Sequence, residues 1–477
     1  MTLSLVDVAK HSTNKSCWVI IQDKVYDVTD FLAEHPGGSK VILKYAGRDA
    51  TQAYLPIHPP DALKTLDLSK HLGPLDSADA QQLHIAQQNR VKTKDELRVE
   101  EQYKKRPPLG RILSLADFES LAQLVLSHKA WAYYSSSADT TSANVENARA
   151  FSRFFFNPRV MRPVRDCSPA TKILGFDSSL PLFVSGAALA KLGHPLGEAN
   201  ITRGAHKGGI IQMVSSNASL SFAEVAAAAE PGQTLFFQLY KHTDDSLAVK
   251  RVREIESLGY KAIFLTVDAL TAGKRECDVR APWVLEDMEN GPAYHVEGGP
   301  ADIADDGGTA GALVGADDQN MTWEKTIPWL RSITKLPLVI KGVQCLEDAV
   351  LAAEAGCDGI LISNHGGRQL DYSMPPLETL YRIRKRRPDL FDKMEIYIDG
   401  GARRGTDVVK AICLGAKAVG MGRPFLYAQS CYGADGVAKA ISILDSEIVK
   451  AMKFLGAAKI EDLVPEMVER VDWQAKL

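Results

Sequence analysis

The amino-acid sequence predicts an α/β protein, a (β/α)8 TIM barrel behind a smaller α+β unit. Three observations carry that expectation. The chain has 477 residues, long for one hydrophobic core. A polar, charge-mixed stretch over 79–108 closes on Pro107-Pro108 and divides it. Beyond that stretch, eight short apolar runs alternate with helical patterns. The expected units are residues 1–78, a linker over 79–108, and a barrel domain over 109–477.

The runs fall at 181–185, 210–215, 235–240, 262–268, 336–342, 359–364, 395–399 and 416–422. Each has the length and continuous apolarity of a strand buried on both faces. Between them, 222–229 is Ala-rich, and Ala248, Val252, Ile255 and Leu258 mark one helical face; 346–355 and 406–414 are further helical patterns. A doubly wound open sheet is the competing architecture, but no Gly-x-Gly-x-x-Gly follows the first run. One connection breaks the rhythm. Between Arg280 and Lys325 there is no Lys or Arg, while Glu286, Asp287, Glu289, Asp305, Asp306, Asp317 and Asp318 crowd it. Such a connection is expected to be a mobile loop or lid without catalytic groups.

Composition narrows the function classes. A net charge of −3 gives no electrostatic footprint for nucleic acid. No apolar run approaches the ~20 residues of a membrane span, and the first residues show neither a signal peptide nor an Arg-rich leader. Cys17, Cys167, Cys277, Cys345, Cys357, Cys413 and Cys431 are scattered without a Cys-x-x-Cys pair. They read as reduced thiols of an intracellular protein.

Chemistry-bearing residues gather at the ends of the runs, where barrel enzymes place their sites. Gln238 and Tyr240 end the third run, Thr266 and Asp268 the fourth, and Lys341 the fifth. Ser363, His365 and Arg368 follow the sixth, Asp399-Gly400-Gly401-Ala402-Arg403 the seventh, and Gly422-Arg423 the eighth. Any one of these could be a helix cap or an ion-pair partner; six strand ends agreeing point to a site. Gly400-Gly401 and Gly420-x-Gly422 leave backbone N–H groups to face an anion, and Arg403 and Arg423 add charge. One phosphate fits better than a pyrophosphate, favouring FMN over a dinucleotide. In Ser363-Asn364-His365-Gly366-Gly367-Arg368-Gln369-Leu370-Asp371 two glycines hold a base beside a carboxylate clamp.

That motif resembles the active-site motif of the FMN-dependent L-2-hydroxy acid dehydrogenases and oxidases. The resemblance implies oxidation of a 2-hydroxy acid to a 2-keto acid on FMN. By that likeness His365 is the base, and Asp268 stabilises the imidazolium that forms. Tyr240 meets the substrate hydroxyl. Arg368, with Tyr133 of Trp131-Ala132-Tyr133-Tyr134, binds the carboxylate, and Arg275 is a second arginine near the substrate. Lys341 stands beside the flavin's pyrimidine edge; Ser185, Gly186, Ala187, Ser215, Gln238 and Thr266 contact the isoalloxazine. Asn217 stands where relatives carry an apolar residue that shapes the substrate pocket. It implies either a substrate with a polar tail or an amide turned to water. Ala188, in contrast, matches the lactate-oxidising members.

In the first unit, His35-Pro36-Gly37-Gly38 and His58 resemble the two axial ligands of the cytochrome b5 fold. Trp18-Val19-Ile20, 25–32 and 46–51 match that family's strands and helices. The resemblance implies haem b held between two imidazoles, with no open position for oxygen. A haem domain followed by this barrel is similar to the flavocytochrome b2 type of L-lactate dehydrogenase. It implies a relay from flavin to haem to cytochrome c, and a homotetramer. The alternatives are an oxidase making hydrogen peroxide from oxygen, and a haem electron-transfer module on a silent barrel. Ala475-Lys476-Leu477 resembles a peroxisomal address; cytosol and the mitochondrial intermembrane space are the other compartments considered.

Overall fold

The structure is a computed structural model that describes residues 2–33, 35, 39–58, 62–294 and 308–471. Pro36, Gly37, Gly38 and the C-terminal Ala475-Lys476-Leu477 lie outside the described residues.

The small unit is built on an antiparallel hairpin of Ser16–Ile21 and Lys24–Asp27. Gln22 and Asp23 both take positive φ (49° and 61°), the conformation that a two-residue hairpin turn demands. Arg48–Asp49 pairs with the first strand in parallel, and His71–Pro74 pairs with the second antiparallel. Alternation along the hairpin gives each face its own core. Cys17, Val19, Ile21 and Tyr26 pack with Val28, Leu32 and Ala46 on the histidine side. Ile20 and Val25 pack on the other face with Val8 and Leu75.

The stretch 79–108, expected as a linker, is mostly helical. Helix α1, Ser77–Gln88, starts on an Asp76 cap and lays Ala80 and Leu83 on the second face of the small sheet. Helix α2, Lys94–Lys104, starts with a capping box of Thr93 and Glu96. It belongs to the barrel: the Arg98 guanidinium donates to the Leu124 and Leu126 carbonyls, both at 2.7 Å, and Tyr103 packs on the outer core. Both helices are polar on most sides, so hydrophobic periodicity does not reveal them; caps and ion pairs such as Arg90–Glu96 carry the signal instead. The joint between the units is therefore 89–93.

All eight expected strands form, and they close into one parallel barrel: β1 Leu182–Val184, β2 Ile211–Ser215, β3 Leu235–Leu239, β4 Ile263–Thr266, β5 Leu338–Val343, β6 Gly359–Ile362, β7 Glu395–Asp399 and β8 Ala418–Met421. Phe183, Phe236, Phe264, Leu361 and Tyr397 fill the interior, and the hairpin carrying Ile173 and Phe176 plugs the N-terminal mouth. Alternate strand residues such as Leu182, Val214 and Phe237 face the surrounding helices. With that mouth filled, the C-terminal mouth is left for a ligand.

Three further elements shape that mouth. Helices α3, His128–Ser135, and α4, Ser142–Ser152, precede the barrel and lie over it. The acidic connection, expected as a long loop, holds helices α5, Glu276–Asn290, and α6, Gly308–Val314. Helix α7, Arg423–Leu455, leaves β8. Among the described residues no helix is long and apolar enough to cross a membrane, and all seven cysteines are free.

Candidate active site

A single cavity at the C-terminal mouth gathers most of the residues singled out in the sequence. Tyr133, Tyr240, Arg275, His365 and Arg368 line one part. Ser185, Gly186, Ala187, Ser215 and Lys341 line the floor, and Asp399, Gly400, Gly401, Arg403, Gly422 and Arg423 the far end. Asp268, Gln238, Thr266 and Ser363 stand behind these and hold them in place.

The histidine owes its position to backbone shape. His365, Gly366 and Gly367 take φ of 57°, 65° and 76°, three successive left-handed residues that lift the chain off β6. A side chain at Gly367 would meet the Asn144 backbone nitrogen at 2.5 Å, so the turn is closed to any other residue. Helix α4 braces it. Asn147, one turn from Asn144, exchanges two hydrogen bonds of 2.8 Å with Asn364. The Asp371 carboxylate accepts from the N–H groups of Thr140 (3.1 Å) and Ala143 (2.7 Å) at the start of that helix. The Ser363 hydroxyl accepts the His365 N–H at 3.0 Å.

His365 Nδ1 lies 3.0 Å from Asp268 Oδ1, and its Nε2 lies 3.4 Å from the Tyr240 hydroxyl. Burial and the Lys341 ammonium push the His365 imidazole below its ordinary pKa, against the pull of Asp268. Burial alone would raise Asp268, but Lys341 and His365 outweigh it and hold the carboxyl low. Burial keeps Tyr240 a phenol, well above its usual range. The result is a neutral imidazole whose Nδ1–H is fixed on a carboxylate and whose Nε2 is ready to accept a proton.

Next to it sit two arginines. Arg368 donates to the Tyr134 and Ser136 carbonyls (2.9 and 3.2 Å) and lies over the Tyr133 ring at 5.0 Å. Arg275 donates to the Arg368 carbonyl (3.2 Å) and the Gln369 side chain (3.0 Å). Burial and the neighbouring Arg368 pull Arg275 down to about 9. Two adjoining cations short of counter-charge make a receptor for a carboxylate.

The floor fits a flavin. Strand register sets Ser215 beside Gln238 and Thr266 beside Lys341. Gln238 accepts from the Ser215 hydroxyl at 2.9 Å and donates to Thr266 at 2.8 Å, a polar chain across three strands. Lys341 Nζ and Asp399 Oδ1 are buried with no hydrogen-bond partner among the described residues, which a heterocycle with donors and acceptors would supply. At the far end Arg423 donates to Asn144 Oδ1 (2.7 Å) and to the Gly366 carbonyl, and burial pulls it to about 10. A side chain at Gly422 would project into nearly open space, and Gly400 and Gly401 hold φ near 86° and 89°. Gly–Gly turns with two arginines suit a phosphate.

The chain matches the model of the FMN-dependent dehydrogenases over residues 122–470. It belongs to that family. Residues 4–88 match the cytochrome b5-like haem/steroid binding domain, which places α1 with the small unit as the packing does. It is 44% identical to L-lactate dehydrogenase (cytochrome) of Wickerhamomyces anomalus, over 97% of this chain and 79% of the relative. It is 36% identical to glycolate oxidase of Spinacia oleracea over 76% of this chain and 96% of the relative. Among solved structures, a variant of flavocytochrome b2 with pyruvate bound superposes with a TM-score of 0.71 at 43% identity, covering 80% of this chain and 92% of the other. The cofactors of this FMN-dependent dehydrogenase are FMN and haem b.

The small unit has the ligands for the haem. The rings of His35 and His58 face each other with centroids 6.1 Å apart. His58 Nδ1 bonds the Tyr54 carbonyl at 3.1 Å, which leaves Nε2 for a metal, and burial keeps the ring neutral by lowering it to about 4. Tyr54 stacks on His58 at 4.1 Å and Phe31 meets His35 edge-on at 5.7 Å. Ile57, next to His58, packs against the outer core of the barrel unit.

Several working residues gave no signal in the sequence. Asn144, Asn147 and Tyr427 reach the cavity or its bracing from helices, and α6 roofs it with Ala310, Leu313 and Val314. None belongs to a motif. Arg403, expected at the phosphate, lines the cavity but is half-exposed, with Glu119 at 4.0 Å as its charged neighbour.

Proposed function

We propose that this FMN-dependent dehydrogenase oxidises L-lactate or a closely related L-2-hydroxy acid to the 2-keto acid, and that the haem relays the electrons to a one-electron acceptor. The observation that carries it is the Asp268–His365–Tyr240 line beside the Arg275–Arg368 pair, in a chain that also holds a bis-histidine unit.

Arg368 and Arg275 bind the substrate carboxylate, and the Tyr133 ring beneath Arg368 closes that side. Tyr240 donates its O–H to the substrate hydroxyl and orients it. His365 takes up a substrate proton at Nε2, and the Asp268 carboxylate stabilises the imidazolium through Nδ1–H. Oxidation of a 2-hydroxy acid releases two electrons and two protons; FMN when bound takes the electron pair, and haem b carries single electrons onward. Lys341 places a cation where negative charge would accumulate on the reduced flavin. Gln238, Thr266 and Ser215 would hold the flavin ring by hydrogen bonds, and Arg423 with Gly400, Gly401 and Gly422 would hold its phosphate.

The name of the Wickerhamomyces relative supports a cytochrome as acceptor, and cytochrome c is the one this reading adopts. A homotetramer is part of the same reading, checked by light scattering of the purified protein. The deciding experiment mixes the holoenzyme with L-lactate under anaerobic conditions while flavin and haem absorbance are followed separately. Flavin bleaching followed by haem reduction is expected. Bleaching with the haem left oxidised, and hydrogen peroxide formed in air, would replace the relay by an oxidase. No bleaching with any 2-hydroxy acid would mean a silent barrel.

A further inference from the structure

Tyr240 is the first residue past β3, so the sheet itself does not hold it. Its N–H donates to the Ser216 hydroxyl at 3.1 Å, which pins it to the turn after β2. On its other side the end of the acidic connection does the holding. Asp318 N–H donates to the Lys241 carbonyl (2.8 Å) and Thr243 N–H to the Ala316 carbonyl (3.0 Å), an isolated antiparallel bridge between His242 and Asp317. Helix α6 is tied separately: Asn217, expected to face a polar substrate tail or water, donates to the Leu313 carbonyl at 3.1 Å.

Side chains reinforce the bridge at one point. The Lys241 ammonium, almost wholly buried, donates to Asp318 Oδ2 at 2.7 Å, to Asp245 Oδ1 at 2.6 Å and to the His242 carbonyl at 3.4 Å. It also stands over the Trp329 ring at 4.7 Å. Separate segments thus meet on one cation: the turn after β3, the helix Asp245–Ser257, the end of the acidic connection and the helix Trp323–Ile333. Burial alone would lower Lys241, but the two carboxylates outweigh it and raise it, so the charge is kept. Two backbone hydrogen bonds between short irregular segments hold weakly, whereas charge-assisted bonds are about twice as strong as neutral ones. The lysine is what keeps the bridge closed. It does not line the cavity, but the residue before it does, with a hydroxyl 3.4 Å from His365 Nε2.

We propose that Lys241 is a positioning residue for the oxidation: it locks the end of the acidic connection onto the turn after β3 and so holds the Tyr240 hydroxyl at His365. This rests on the hydroxy-acid reading of the site. A phenol held in place meets the substrate hydroxyl in the orientation that proton transfer to His365 needs. A phenol free to swing does so only part of the time.

The test is a double-mutant cycle of Lys241→Met and Tyr240→Phe in the full-length holoenzyme, read as the limiting rate of anaerobic flavin reduction by L-lactate. Lys241→Met alone is expected to slow it about ten-fold. Binding of propionate, which has the carboxylate and no hydroxyl, should stay unchanged. Tyr240→Phe removes the group that Lys241 positions, so the double variant should be no slower than Tyr240→Phe alone. Losses that multiply would overturn the proposal, because they would mean a general loosening of the barrel. So would a normal rate in Lys241→Met. That variant strands the shielded Asp318 carboxylate, so Asp318→Asn, which leaves Lys241 its bond to Asp245, goes through the same cycle and decides if the first does not fold. Without substrate, amide hydrogen exchange at positions 243 and 318 should quicken about ten-fold in either variant. Failure of every 2-hydroxy acid to bleach the unmodified enzyme would sink the hydroxy-acid reading instead, while the exchange result would still report on the clamp.

Discussion

His365 Nδ1 lies 3.0 Å from Oδ1 of Asp268, a carboxylate wholly shielded from solvent, and the same oxygen lies 3.8 Å from Lys341 Nζ. One buried anion thus serves the base and the flavin-side cation together. Its charge is worth more there than in water, because no solvent screens it.

Asp268→Asn keeps the shape and removes the charge. The amide cannot stabilise an imidazolium, so flavin reduction by substrate should slow by about a hundred- to ten-thousand-fold. Flavin content should hold, since Arg423 and the Gly–Gly turns are untouched. Stopped-flow flavin bleaching checks it, and a loss below ten-fold would release Asp268 from this role.

The pH profile follows from the direction of the His365 shift. The active form is the neutral imidazole, and burial sets its pKa below the ordinary 6.5. Flavin reduction should therefore stay level above about pH 6.5 and fall only as the pH drops through the lowered value. Asp268 works against that lowering, so Asp268→Asn should carry the acid limb further down. A limb above 6.5 in the unmodified enzyme would contradict the geometry.

Arg423 holds two structures at once, the expected phosphate site and the Gly366 carbonyl of the histidine turn. Arg423→Met should weaken FMN binding by about ten- to a hundred-fold, measured by flavin fluorescence on titrating the apoprotein. Arg403→Met should cost less, because Arg403 is half-exposed and its charged neighbour stands off at 4.0 Å.

His58→Ala separates the two redox units. The haem Soret band should be lost, and with it reduction of cytochrome c. Anaerobic flavin bleaching by the substrate should persist, because His58 does not line the catalytic cavity. Retention of a normal haem spectrum would remove His58 from the ligand set.

The barrel was legible in the sequence because its strands are buried on both faces and show as unbroken apolar runs, each found within about two residues of its place. The site was legible because barrel chemistry sits at strand ends, where Asp268, Lys341, His365 and Arg368 stand in recognisable company. Helices α1 and α2 were not, because a polar helix held by Asp76, Thr93 and Glu96 has no apolar stripe to read. Nor was the roof. The absence of Lys and Arg between Arg280 and Lys325 suggested a loop, but Asp278 and Asn217 supply α6 with ties that no local pattern announces. Asn147 is the same case, an amide that matters only because α4 brings it to Asn364.

The short joint between α1 and α2 has a kinetic consequence. Residues 89–93 can extend to no more than about 20 Å, so the haem unit never leaves the neighbourhood of its own barrel. Its local concentration there is of the order of millimolar, whatever the dilution of the enzyme. Internal electron transfer should accordingly be first order and indifferent to enzyme concentration, whereas a severed haem unit added back in solution would have to find the barrel by diffusion.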